Sequence, residues 1–525
     1  MSGRPRMNTQ RKIRKILIAN RGEIAVRIIR CCRDMGIESV AVFSDADRRS
    51  AHVRLADEAR HVGIAAATES YLSIERIVRA ARDSGTDAVH PGYGFLAENA
   101  EFAEACAEAG LIFIGPSPDT IRALGDKLQA RALAKRAGLP LAPAVEQALS
   151  DMKSVAKAAG EIGYPVLIKA AAGGGGKGMR IARSESDLFE SLEAAQREAK
   201  AAFADERVFI EKLIERPRHI EIQIFGDSHG NVAHLFEREC SIQRRHQKVI
   251  EEAPSSFVTP EMRGRMGEAA VAIGKETDYL GAGTVEFLVD SDRKFYFLEV
   301  NTRLQVEHPV TEMVAGIDLA REQIRIAGGE KLSFNQNDLR INGWAIESRI
   351  YAEDPANSFL PSTGTLNGYR EPAGPGVRVD SGVVLGSVVD VHYDPLLAKL
   401  IVHGQTRDEA IARTLRALQE YRITGVNSTV GFAAAAIGSR AFRAGDLSTS
   451  FLDDHFPDGV FSEDDSERLE LAAITLAALQ HRDSEKTLAE VSAQLAGASG
   501  WKTRARQRAL NGSPLKGWRR GPGRD

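Results

Sequence analysis

Six polar residues in the second half of the chain are of types that handle a hard metal ion and a small anion. Glu299, Asn301, Arg303, Gln305 and Glu307 alternate through FLEVNTRLQVEHP, and Glu286 stands in the earlier apolar run GTVEFLV. Alternate residues of an extended chain point to one side. These five therefore project together if the run continues as a strand. Oxygens of Glu286, Glu299 and Asn301 are hard ligands of the kind Mg2+ takes, usually together with substrate phosphates. Arg303 and Gln305 beyond them suit a planar anion. The alternative is a polar strand face on a sheet surface; the apolar neighbours Phe297, Leu298 and Val300 place core on the other side.

Further groups add to this set. CSIQRRHQKVIEEAP, from Cys240 to Pro254, crowds Gln243, Arg244, Arg245, His246 and Lys248 together and reads as a loop between strands, facing a site. Lys127 follows Gly125-Asp126, and Lys169 closes the apolar run VLIK. A buried ammonium needs a partner: a ligand phosphate and a structural ion pair both serve. The glycine run in AAAGGGGKGMR, Ala170 to Arg180, offers bare backbone N–H groups to phosphate, although its spacing is not that of a P-loop. By itself it also reads as a flexible surface loop. Arg349, in an apolar run before a turn, is as much structural as catalytic in type. HPGYGFLAEN, His90 to Asn99, reads as a structural loop.

The elements that position these residues come in two styles. Lys15–Asn20, a glycine, a helix from Glu23 to about Met35, and Glu38–Phe43 make a strand–helix–strand unit, which recurs through residues 87–90 and 111–115. That is the pattern of a parallel sheet. From Arg207 onward the runs RVFIEKL, RHIEIQIFG, NVAHLFERE, GAGTVEFLV and KFYFLEV come in close succession, and several alternate apolar with polar residues. They predict an antiparallel sheet with one solvated face. Short strands and a helix from Arg407 to about Arg422 come next. The fold class is therefore α/β (α+β). Residues 468–495 are Ala/Leu-rich and helix-like. Residues 501–525 carry eight Lys or Arg against one Asp and are expected to be disordered.

A formal net charge of −3 over 525 residues gives no nucleic-acid footprint. No apolar run reaches the length of a membrane span, and the basic N-terminus lacks the apolar core of a signal peptide. Four cysteines without CxxC spacing (Cys31, Cys32, Cys106, Cys240) predict a reduced, cytoplasmic chain.

Over residues 12–455 the chain resembles biotin carboxylase, an ATP-grasp enzyme. IANRGEIAVRIIR, HPGYGFLAEN, FIGP, GDK, AAGGGGKGMR, EKLIERPRHIEIQI, ERECSIQRRHQKVIEEAP, GTVEFL, EVNTRLQVEHPVTE, ESRIYAEDP and YDPLLAKLI occur in the family's order. The resemblance implies a pre-ATP-grasp α/β domain (12–126), an ATP-grasp domain (127–335) with a mobile lid (about 145–210), and a β-rich C-terminal domain (340–455). A helical extension and basic tail (456–525) complete the chain. It implies that Lys127, Lys169, Gly175 and Gly176 contact ATP phosphates, and that Glu211, Lys212, Leu213 and Ile214 form the adenine-facing hinge. His219, Gln243 and His246 match nucleotide contacts. Glu286, Glu299 and Asn301 match ligands of Mg2+ (or Mn2+). Lys248, Arg303, Gln305 and the backbone of Val306 match bicarbonate contacts, Glu307 the base, and Arg349 the stabiliser of the biotin enolate. The implied reaction is ATP-dependent carboxylation of biotin through carboxyphosphate. The implied partners are a biotin carboxyl carrier protein, carboxyltransferase subunits and a second copy of the chain.

Two features depart from the family pattern. Ala172 replaces the first glycine of the loop. No Met-Lys-Met tripeptide occurs, so biotin is expected on a separate carrier chain, or the sequence stops before a carrier domain. The stretch FLDDHFPDG and the Ala-rich residues after it are similar to longer acyl-CoA carboxylase alpha chains of propionyl or methylcrotonyl type.

Overall fold

The computed structural model describes residues 11–145, 152–170, 179–203, 205 and 207–457. Gly175 and Gly176 lie outside the described residues, as do the helix-like and basic stretches after residue 457.

Near the N-terminus, five parallel strands lie in the order Glu58–Gly63, Glu38–Ser44, Lys15–Ile18, Ala88–His90, Ile112–Phe113. The first strand is central because KILI is apolar on both faces: Ile16, Leu17 and Ile18 are all 0% exposed. It ends at Ile18, two residues earlier than the sequence predicts, and Gly22 at φ +66 opens the helix Gly22–Asp34.

The largest sheet has eight antiparallel strands. Their order is Phe295–Asn301, Gly281–Val289, Arg218–Gly226, Val232–Arg244, Gln247–Ala253, Trp344–Tyr351, Leu396–Gly404, Val377–Ser381. It runs without a break from the region expected to bind ATP into the β-rich C-terminal region. Helix Pro260–Glu276 covers one face, where Ile220, Ile222, Ile224 and Met266 are buried together.

Two expectations are corrected here. Residues 240–254 are not a loop: they form the ends of two long strands joined by a two-residue turn. Arg245 and His246 take φ of +48 and +66 there, the left-handed geometry that matches strand twist. The polar face of RHIEIQIFG is not solvated either. His219, Glu221 and Gln223 are 6%, 0% and 0% exposed; alternation marks two faces without saying which of them meets water.

A separate four-stranded sheet, Ala144–Val145, Val208–Lys212, Val166–Ala170, Arg180–Ala182, falls largely within the span expected to be a lid and runs past it at both ends. Helices Met152–Ile162 and Glu185–Phe203 pack on it through Val155, Ala159, Leu188 and Ala195.

Candidate active site

The polar face of the central sheet is a layer of buried charge. Arg238, wholly buried, donates from Nε to Glu221 (2.5 Å), from Nη1 to Gln223 (2.7 Å) and Thr311 (3.0 Å), and from Nη2 to Thr284 (3.0 Å). It thereby fixes the Glu221 carboxylate in place. The Lys248 ammonium then donates to Glu221 (2.5 Å), Glu307 (2.7 Å) and Glu286 (2.8 Å), with Gln305 Oε1 at 3.3 Å. Arg349 Nη2 takes the other oxygen of Glu307 at 2.9 Å. Breaking such a buried pair is costly because it strands a charge.

These contacts set the acid strengths. Burial alone would raise Glu307, but Lys248, Arg349 and Arg238 outweigh it and hold the carboxyl far below its usual range. Glu286 is held down in the same way, against burial, by Lys248 and His219. Glu299 goes the other way: burial raises it first, and the charge of Glu286 raises it further. Glu286 and Glu299 are register partners on adjacent strands, and Asn301 Nδ2 reaches Glu286 at 2.8 Å. Two facing carboxylates, one pushed toward its neutral form by the other, are a donor set that a divalent cation suits.

The predicted extended run ends at Asn301. Residues 302–307 turn, and the helix His308–Ala315 begins with Glu307 at its N-cap. Arg303, Gln305 and Glu307 therefore reach the site from a turn rather than along a strand. Arg303 donates to Glu98 Oε2 (2.9 Å) and Asn301 Oδ1 (3.2 Å). Gln305 Nε2 reaches Glu286 at 3.0 Å, and the Val306 carbonyl accepts from Lys399 at 2.8 Å.

The expected nucleotide residues are more spread out. His219 Nε2 lies 2.9 Å from Glu286, and its Nδ1 is 2.9 Å from Gln243 Nε2. His246 sits exposed at the hairpin tip. Lys169 pairs with Glu211, which also accepts from Arg131 at 3.1 Å. Lys212 Nζ holds the carbonyls of Gly163 (2.9 Å) and Tyr164 (3.0 Å), and Leu213 N donates to Pro165 O at 3.2 Å. Ile214 lies just beyond the strand Val208–Lys212. Lys127 starts the helix Lys127–Arg136, capped by Asp126; burial lowers its pKa, against the pull of Glu299.

Sequence reasoning missed Glu221, Arg238, Glu251 and Glu98. Spacing did mark Glu221, between His219 and Gln223 on one strand face. Glu98 comes from the loop read as structural: it accepts from Thr302 N at 3.1 Å as well as from Arg303.

Three family models match the chain in succession: the biotin carboxylase N-terminal domain over residues 12–121, the ATP-binding domain of the carbamoyl-phosphate synthase L chain over 126–335, and the biotin carboxylase C-terminal domain over 347–454. A pyruvate carboxylase subunit of Methanothermobacter thermautotrophicus is 53% identical over 441 residues, 84% of this chain and 90% of that protein. The human mitochondrial propionyl-CoA carboxylase alpha chain is also 53% identical, over 447 residues, but the match spans only 61% of its length. Among solved structures, the biotin carboxylase domain dimer of Hydrogenobacter thermophilus 2-oxoglutarate carboxylase, in complex with MgADP, ADP and bicarbonate, superposes with a TM-score of 0.83. It is 47% identical, with 86% of this chain and 99% of that one covered.

Proposed function

The chain belongs to the biotin carboxylase family, and from that premise we propose that it uses MgATP and bicarbonate to carboxylate biotin on a carrier protein. The observation that carries this reading is the Lys248 ammonium held among Glu221, Glu286 and Glu307, with Arg349 on the far oxygen of Glu307.

The chemistry grows out of that arrangement. Glu307 is ionised but a weak base while Lys248 and Arg349 grip it. An entering bicarbonate competes for Lys248 and for Arg303, and Glu307 becomes more basic as those contacts pass to the anion. It then takes the bicarbonate proton, given hydrogen-bond reach. The dianion attacks the γ-phosphate of ATP and displaces ADP to give carboxyphosphate, and Lys127 and Lys169 are the chain's own cations for the phosphates. A divalent ion bound by Glu286, Glu299 and Asn301 would neutralise phosphate charge. Carboxyphosphate breaks down to CO2 and phosphate, and phosphate removes the ureido proton of biotin. Arg349 stabilises the enolate that forms, and the enolate's ureido nitrogen attacks the CO2 to give carboxybiotin. Closure of residues 145–210 would keep water from carboxyphosphate.

Association as a homodimer is supported by the dimeric relative. A separate carrier and carboxyltransferase are the partners proposed. The pyruvate and propionyl-CoA enzymes match this chain equally well, which supports the view that the acyl acceptor is chosen outside it. The four cysteines are buried and free, which supports a reduced cytoplasmic setting, and no helix among the described residues is long and apolar enough to cross a membrane.

The test is ADP release by the purified chain with MgATP, with and without bicarbonate and free biotin or a biotinylated carrier. The reading predicts bicarbonate-dependent release that biotin stimulates. Release indifferent to both forms of biotin would overturn it in favour of another ATP-grasp ligase.

A further inference from the structure

Behind Arg349 lies a pair of acids that the chemistry above does not use. Glu251 and Glu347 are register partners across the strands Gln247–Ala253 and Trp344–Tyr351, and both are 0% exposed. Glu251 Oε1 accepts from Arg349 Nε at 2.6 Å and lies 2.5 Å from Nη2. The guanidinium is therefore gripped from the rear by Glu251 and from the front by Glu307. The second oxygen of Glu251 and both oxygens of Glu347 meet no donor among the described residues. Lys399, the register partner of Arg349, is turned to the Val306 carbonyl at 2.8 Å and lies 3.3 Å from Glu23.

A fully buried carboxylate with no donor on either oxygen is too costly to persist. Beside a second acid it is costlier still, and the usual outcome is one shared or retained proton. We infer that Glu251 is the ionised positioning residue for Arg349, and that Glu347 beside it carries a proton, so that only one negative charge backs the guanidinium. Burial, the largest influence, pushes the Glu347 carboxyl well up; Lys399 opposes it and Glu251 adds to it. Burial raises Glu251 less far, because the adjoining Arg349 opposes it, and the net value is about 7. Of the two, only Glu251 bonds the Arg349 guanidinium, and it keeps the charge.

The arrangement has a consequence for the reaction. When Glu307 takes the bicarbonate proton, its charge is lost and its hold on Arg349 weakens. Glu251 keeps its charge, so the guanidinium stays in place for the biotin step that comes next. Glu251 thus acts through Arg349 and touches no reactant. The inference rests on Arg349 as the enolate stabiliser proposed above.

The experiment compares two rates in the full chain, bicarbonate-dependent ADP release without biotin and its stimulated rate with biotin, alongside the melting temperature. Glu251→Gln keeps the shape and removes the charge. It should lower the biotin-stimulated rate by about tenfold or more while the biotin-free rate changes by less than about threefold. Glu347→Gln replaces a neutral acid by a neutral amide and should keep the wild-type ratio of the two rates. Equal loss of both rates in Glu251→Gln, or no loss, would overturn the positioning role. A collapse of the ratio in Glu347→Gln would show that residue to be ionised and overturn the pair. Should Glu251→Gln not fold, Glu251→Asp carries the test, because retraction by one methylene must still depress the stimulated rate selectively. A wild-type chain that biotin does not stimulate sinks the functional reading itself; a stimulated wild type with an unaffected Glu251→Gln sinks only this inference.

Discussion

The parallel sheet near the N-terminus and the polar face of the central sheet are buried to the same degree and filled with opposite chemistry. Ile16, Leu17 and Ile18 are 0% exposed, and so are Glu221, Arg238 and Glu251. The first set gains free energy from leaving water, roughly 1.5–3 kcal/mol for each large apolar side chain. The second loses hydration, and its ion pairs recover that loss only where every donor and acceptor is met. Every nitrogen of Arg238 has a partner; Glu251 and Glu347 each hold oxygens that have none among the described residues. One region therefore supplies stability, and the other holds charges whose value lies in the chemistry.

Substitutions can break that division. The largest effect is expected from Glu307→Gln, which removes the proposed proton acceptor and leaves the shape. Turnover should fall by about 10³-fold, within the usual range for a general base. Binding of MgATP, measured by calorimetry, should change little, and undiminished turnover would end the assignment. Leu17→Ala should do the reverse. It should cost about 2–5 kcal/mol in denaturant unfolding, with kcat unchanged for the molecules that remain folded. A large kcat loss there would blur the two regions into one.

Arg349→Ala sharpens the comparison within the charged layer. It should lower biotin carboxylation by about thirtyfold and bicarbonate-dependent ATP cleavage much less, read from the two ADP-release rates. The smallest effect is a pH slope in the apolar region. Burial lowers the pKa of His52 to about 4, against the opposing charge of Asp47. The unfolded histidine takes a proton near its ordinary value of 6.5 and the folded one does not. Between those values the unfolded state binds more protons, so stability falls as pH drops from 6.5 toward 4. The His52 contribution is at most about 1.4 kcal/mol per pH unit. His52→Gln should flatten that part of the slope in thermal melts.

Much of this was legible in the residues, and the rest was hidden for physical reasons. The strand–helix units of the first domain could be read because KILI and SVAVF are apolar runs punctuated by glycine. The condition that the run from Glu299 to Glu307 stays extended fails: the strand ends at Asn301, while polar–apolar alternation continues past it. Leu304 and Val306 keep the rhythm, yet Leu304 is buried in the core around Ile16 and Ile24. Pro309, in the first turn of the next helix, was the available stop signal. Glu221 and Arg238 escaped because a period of two distinguishes faces and cannot tell whether one is covered. Glu251 and Glu347 escaped for another reason: their pairing joins strands almost a hundred positions apart in the chain, and register at that distance is not written locally.

The central claim is that this layer of buried charge transfers a carboxyl group to biotin, and isotope transfer tests it most directly. The chain would be incubated with MgATP, labelled bicarbonate and free biotin or a biotinylated carrier, and the biotin fraction assayed for acid-labile label. The account predicts label on biotin that requires ATP and is absent in Glu307→Gln. ATP cleavage that leaves biotin unlabelled, with the carrier as well as with free biotin, would contradict it.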